Sequence, residues 1–220
     1  MLKTERMDRV RAALRAQGLT QMIVCDPKSV WYLTGVAVEP YERLLALYLP
    51  TEGDPVLFLN RLFNVPEPPC RTVWHTDTDK PVAQIAEVVD AGKPLGIDKE
   101  WPAKFLIPLM ETHPGMQVVL SSDCVDDCRA CKDAEEQALM REASRINDAV
   151  NEAAKHYIKA GMTEREVAEF IDAQYRAHGC EGPSFTTIVS FGANAADPHH
   201  EPDDTVLKEG DCVLFDMGCV

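Results

Sequence analysis

Nothing in the sequence is apolar for long enough to cross a bilayer. The longest such run, LLALYL at residues 44–49, falls far short of the ~20 residues a spanning helix needs. The opening stretch, MLKTERMDRVRAALRAQ, is charged throughout and has no apolar core segment, so no secretory signal is expected. Basic charge is also scarce. The chain has 22 Lys and Arg against 36 Asp and Glu, a net charge of −14, which argues against nucleic acid or an anionic membrane as partner. Repeats and low-complexity segments are absent. Together these absences point to a cytoplasmic protein, where thiols stay reduced, and a chain this large needs no covalent staples. The eight cysteines, at 25, 70, 124, 128, 131, 180, 212 and 219, are therefore not expected to form a disulfide framework.

What is present is ordinary for a globular protein: 45% hydrophobic and 26% charged residues in a chain of 220, enough to bury a real core in one large domain or two modest ones. Met7, Val10 and Leu14 recur at helical spacing within 4–17, and Gly18 supplies the stop. QMIVCDP, LLALYLP, PVLFLN, RTVWHT, PLGID and MQVVLSS read as strands. SVWYLTG reads as a helical turn, and PVAQIAEVVDAG and PAKFLIPLMETH as helices. This loose alternation up to about residue 122 predicts an α/β domain with a mixed sheet and flanking helices. The texture then changes. One long helix is expected from Asp133 to about Lys159, with Leu139, Ile146, Val150 and Ala153 on its apolar stripe. Thr163 and Glu166 form a capping box opening a second helix to about His178. FTTIVSFG and DCVLFDMG follow as strands. Two helices and two strands predict an α+β unit, with the division near 121–132 and domains at 1–122 and 123–220.

Three groups of residues could carry chemistry. Cys124, Cys128 and Cys131 have a spacing compatible with three corners of an iron–sulfur cluster, but they sit in an acidic linker with no barrel pattern after it, so the plain reading is preferred. In DPHHEPDD, residues 197–204, His199 and His200 are adjacent and on an extended segment would face opposite sides; at most one functional imidazole is expected. Asp216 shares a strand face with Cys212 and Leu214, opposite Val213, Phe215 and Met217. An acid on a strand expected to be buried needs a backbone hydrogen-bond network, solvent or a metal ion.

Taken together, these segments resemble the family of creatinase, prolidase and aminopeptidase P, whose catalytic half has the pita-bread fold. RVRAALRAQGLTQMIVCDPKSVWYLTG is similar to the creatinase-type N-terminal domain. CRACKDAEEQALMREASRINDAVNEAA resembles the junction into the catalytic domain, and EGPSFTTIVSFGANAADPHHEPDDTVLKEGDCVLFDMG resembles the segment leading to the first metal-binding strand. The resemblance implies that Asp216 is the first metal ligand and that His199, 17 positions earlier, is the active-site histidine. It leaves His200 without a role and makes Asp211 structural. It further implies two divalent ions (Mn, Co or Zn), Xaa-Pro peptides as substrates, a homodimer, and further ligands downstream of residue 220. The expectation is thus a complete N-terminal domain followed by the incomplete start of a pita-bread domain, inactive alone and without tightly bound metal. The alternatives are a metal-independent creatinase-like hydrolase and a non-catalytic dimerisation or pseudoenzyme module.

Overall fold

The computed structural model describes residues 2–220. The chain divides into two compact units, one ending at Lys132 and the other spanning Asp133–Val220.

The first unit begins with α1 (Thr4–Ala16), whose Met7, Val10 and Leu14 are buried as their spacing requires. Strand β1 (Gln21–Val24) leads into α2 (Pro27–Thr34). Two local signals start this helix: the Asp26 side chain accepts the Ser29 amide at 2.8 Å, and Pro27 occupies the first turn. The expected single turn is therefore a full two-turn helix. Strands β2 (Ala46–Pro50), β3 (Val56–Asn60) and β4 (Arg71–His75) follow, then α3 (Pro81–Ala86), β5 (Leu95–Ile97), α4 (Ala103–Thr112), β6 (Val118–Leu120) and α5 (Asp123–Ala130).

The six strands form one mixed sheet in the order β4-β3-β2-β1-β5-β6. The β1–β2 and β2–β3 pairs are antiparallel, and β3–β4, β1–β5 and β5–β6 are parallel. Alternation sorts the central strands between two cores. Met22, Val24, Leu47, Leu49, Leu57 and Leu59 join Val10, Leu14 and Leu33 of α1 and α2 on one face. Ile23, Ala46, Tyr48, Val56 and Phe58 join Ile85 and Leu109 of α3 and α4 on the other. Covered on both faces, β1 and β3 are buried at every position, so apart from Gln21 and Asn60 at their ends they appear in the sequence as apolar runs.

Helix α5 belongs to this unit, because Cys124, Val125 and Cys128 pack into the first of these cores. The unit thus ends at the far edge of the 121–132 interval. The same packing accounts for the cysteine trio. Cys124 and Cys128 face the core one turn apart while Cys131 is exposed, and burial pushes the Cys124 thiol up to about 11. A buried thiol held protonated packs as a small apolar group. All eight cysteines are free thiols.

The second unit contains α6 (Ala134–Tyr157), α7 (Glu164–Ala177), β7 (Ile188–Phe191), a 3-10 turn (Gly192–Ala196) and β8 (Val213–Asp216). Both helices open with a capping box, Asp133 with Glu136 and Thr163 with Glu166. Val150, Ala154, Val167, Ile171 and Tyr175 form the helix–helix core. The Tyr157 and Phe170 rings stack 3.8 Å apart between centroids, and the buried Tyr175 hydroxyl donates to Asn147 Oδ1. The apolar stripe of α6 differs from expectation: Leu139 is 65% exposed, and Ala154 rather than Ala153 is fully buried, continuing the four-residue steps from Ile146 and Val150. β7 and β8 form a two-stranded antiparallel sheet, with no strand paired to the outer edge of β8 among the described residues.

Candidate active site

Strand β8 is the main correction to the sequence reading. The expected buried strand over 212–217 is a four-residue strand, and none of its positions is fully buried. Its two faces are those that alternation predicts. Val213, Phe215 and Met217 pack on the helical core, while Leu214 is half-buried and Cys212 and Asp216 are exposed. The carboxylate of Asp216 thus lies in solvent, and no hydrogen bond is made to it among the described residues. It is not an acid sequestered in an apolar core. A divalent ion needs several converging donors, and an unengaged carboxylate on an open sheet face fits as one of them.

Local sequence fixes where this strand runs. Ile188 pairs with Asp216 and Phe191 with Val213, and the ladder is closed by the Gly192 amide on the Cys212 carbonyl at 2.8 Å. Gly192 has φ +53°, and a side chain there would also press on the Asp211 carboxylate, 3.2 Å from an added Cβ. Asp211 itself accepts the Lys208 amide at 2.9 Å, a turn role that agrees with its expected structural function. After Asp216, Gly218 lets the chain pass Ser184, whose Oγ would lie 2.8 Å from a Cβ at that position. The Ser184 amide bonds the Gly218 carbonyl there. Ser190, between Ile188 and Phe191, is fully buried, and its hydroxyl has no partner among the described residues.

The histidines sit in the loop that leaves the far end of β7. His199 is exposed, and its amide is held by Asp197 Oδ1 at 3.0 Å. In register terms, His199 follows the Phe191 end of the hairpin and Asp216 stands at the Ile188 end. His200 is the less exposed member of the pair. Its Nε2 donates to Glu164 Oε2 at 2.7 Å, with the side chains 17% and 0% exposed. That hydrogen bond, opposed by desolvation and aided by Asp203 and Asp197, raises the imidazole above its ordinary range. Asp203 is held below the usual carboxylate range, first by the Thr205 hydroxyl and amide.

Sequence reasoning gave His200 no role and overlooked Glu164. The two are 36 positions apart, and an acid in the first turn of a helix ordinarily reads as favourable to the helix dipole. Local pattern offers no sign that it is buried. Glu164, His200 and Asp203 place donor atoms within 4.8 Å of one another, close enough for a cation. Glu164, however, already accepts hydrogens from Phe191 N, Asn194 Nδ2, His200 Nε2 and Asp203 N. Its lone pairs are engaged by protein donors, so the cluster is a hydrogen-bonding hub.

A sheet-centred α/β unit, followed by two capped helices and a hairpin bearing a histidine loop and an unengaged carboxylate, defines a recognisable class. The chain belongs to the family of the creatinase/prolidase N-terminal domain, whose model matches residues 6–131. The model of metallopeptidase family M24 matches residues 138–220. An uncharacterized peptidase of Staphylococcus epidermidis is 28% identical over 215 residues, covering 96% of this chain and 61% of that protein. Among solved structures, dipeptidase PepE from Mycobacterium ulcerans is 29% identical with a TM-score of 0.88, covering 98% of this chain and 60% of that one. A recombinant prolidase from Thermococcus sibiricus is 28% identical, also at 0.88, covering 100% and 62%. The chain therefore spans about three fifths of the length of the relatives it matches. Metallopeptidase kinship implies divalent metal ions, and the fold is that of the front part of prolidase-like enzymes.

Proposed function

We propose that these 220 residues supply the N-terminal domain, the active-site histidine and the first metal carboxylate of a metal-dependent peptidase that cleaves Xaa-Pro bonds. The observation that carries this reading is Asp216, a carboxylate with no hydrogen-bond partner among the described residues, on the exposed face of β8 and followed by Met217-Gly218. When bound, divalent ions of the manganese, cobalt or zinc type supply an activated water near neutral pH. The chain's own contribution is positional. Asp216 offers one oxygen ligand. Exposed His199 is available to donate a hydrogen bond to the substrate carbonyl oxygen as charge develops on it. An Xaa-Pro bond has no amide N–H, so recognition through the carbonyl suits it.

One carboxylate is not a metal site, and we infer that the chain by itself neither holds metal tightly nor hydrolyses peptide. The net charge of −14 supports a role away from nucleic acid and anionic membrane surfaces, and a cytoplasmic location is part of the proposal. No helix among the described residues is long and apolar enough to cross a membrane. Assembly as a homodimer is part of this proposal, as the resemblance to the family implies. The second reading, a non-catalytic dimerisation module, draws on the self-contained core of the first unit.

The test is to offer Xaa-Pro dipeptides to the purified chain with Mn²⁺ or Co²⁺, and to measure metal binding by calorimetry. Weak, Asp216-dependent metal binding without turnover is expected. Turnover, or tight stoichiometric binding, would overturn the view that this donor set is partial. Metal binding unchanged in Asp216→Asn would remove the peptidase reading of Asp216.

A further inference from the structure

The segment 192–206 contains little regular structure, yet three of its polar groups converge on one side chain. Glu164 is fully buried in the first turn of α7. Its Oε1 accepts the Phe191 amide at 2.7 Å and the Asn194 side-chain amide at 3.0 Å. Its Oε2 accepts His200 Nε2 at 2.7 Å and the Asp203 amide at 3.1 Å. The donors come from the end of β7, the 3-10 turn, the histidine and the return of the loop. A buried carboxylate is costly unless such donors satisfy it. The helix therefore cannot keep this acid inside unless the loop closes over it; the return of the loop is also held by the Glu164 and Arg165 amides, which donate to the Thr205 and Asp203 carbonyls at 3.2 Å, but these reach neither the 3-10 turn nor the histidines.

We propose that Glu164 is the positioning residue of the histidine loop and that His200 is its latch, the buried carboxylate fixing through the inward imidazole the segment that displays His199. This rests on reading His199 as the group that meets substrate. It assigns a role to each member of the histidine pair. His199 is exposed, with its amide tied to Asp197, whereas His200 is turned in to Glu164. Asn194 Nδ2 lies 3.1 Å from His200 Nε2. Because a carboxylate oxygen accepts, Nε2 carries the proton and donates to Oε2, and the two Asn194 hydrogens go to Glu164 Oε1 and Thr205 Oγ1.

Four polar groups face the His200 ring: Glu164 from α7, Asn194 from the 3-10 turn, and Asp197 and Asp203 from the loop, the last at 3.9 Å. Three are carboxylates, which favour imidazolium. A group whose pKa is raised by folding contributes stability that is complete below its unfolded value, ~6.5 for histidine. That contribution is lost as pH rises through the folded value. The latch is therefore tightest in mildly acidic solution and slackens toward alkaline pH.

Hydrogen exchange and histidine NMR on the 220-residue chain test this. After correction for intrinsic exchange, amides of 194–204 should lose protection as His200 titrates, while those of the α6–α7 core do not. Glu164→Gln should lower the His200 midpoint and speed loop exchange roughly tenfold or more, the loss expected for charge-assisted hydrogen bonds. If that variant fails to fold, His200 carries the test. His200→Gln keeps a donor without titrating and should make loop protection independent of pH. His200→Ala should loosen the loop at every pH. Loop protection that ignores the His200 titration, or a loop that stays closed in His200→Ala, overturns the proposal. Mn²⁺ binding that is unchanged in Asp216→Asn counts against the peptidase reading alone and leaves the latch standing.

Discussion

Two aspartates at strand ends, one in each unit, show how differently the same side chain is used. Asp98 follows β5 and is 5% exposed. Its oxygens accept the amides of Cys25, Asp26 and Glu100 at 3.4, 3.2 and 2.9 Å, tying the ends of the parallel pair β1 and β5 together. Asp216 ends β8 in solvent with no such bonds among the described residues. The contrast extends to the units themselves. The six-stranded sheet of the first is covered by a core on each face. The two-stranded sheet of the second has one core and one partly open face. A carboxylate enclosed by backbone amides is part of the architecture, whereas one left free on an uncovered strand is available for something else.

The largest effect that would sharpen this comparison is in the first unit. Phe58→Ala, at a position fully buried in the core, should cost about 3–5 kcal/mol. Leu214→Ala, on half-buried β8, should cost about 1 kcal/mol or less. Urea unfolding followed by probes in each unit reads both. Next, Asp98→Asn should destabilise by roughly 1–3 kcal/mol by weakening its amide network. Asp216→Asn should stay within about 0.5 kcal/mol while abolishing any response to Mn²⁺. Comparable losses at the two aspartates would break the comparison. Thr163→Ala, which removes the cap of α7, should cost about 1 kcal/mol and affect the second unit alone. Smallest in energy but clearest in pattern is native-state exchange: β1 and β3 should be the slowest segments, and the amides on the outer edge of β8 among the fastest. Equal protection in both units would show that the second is as self-sufficient as the first.

Much of this was legible in the sequence, for identifiable reasons. Continuous apolar runs such as VLFL in β3 declare strands buried on both faces. The Thr163–Glu166 pair declares a helix start because the two members of the box are three positions apart and need nothing from elsewhere in the fold. Strand β8 was half legible. Its alternation sorted Val213, Phe215 and Met217 from Leu214 and Asp216, but alternation does not say which face will be covered. That depends on α6 and α7 packing against one side. The role of Glu164 was not legible at all, because its partners at 191, 194, 200 and 203 are brought to it by the tertiary fold. His200 shared that fate, since adjacency to His199 distinguishes neither imidazole.

The outer margin of β8 has a further use. A strand joined to one neighbour still has a row of main-chain donors and acceptors on its other side, ready to accept an extended segment as the next rung. A separately made polypeptide carrying the part of a longer relative that this chain does not cover is a direct probe of that margin. Slowed exchange of the outer β8 amides on mixing would report their union.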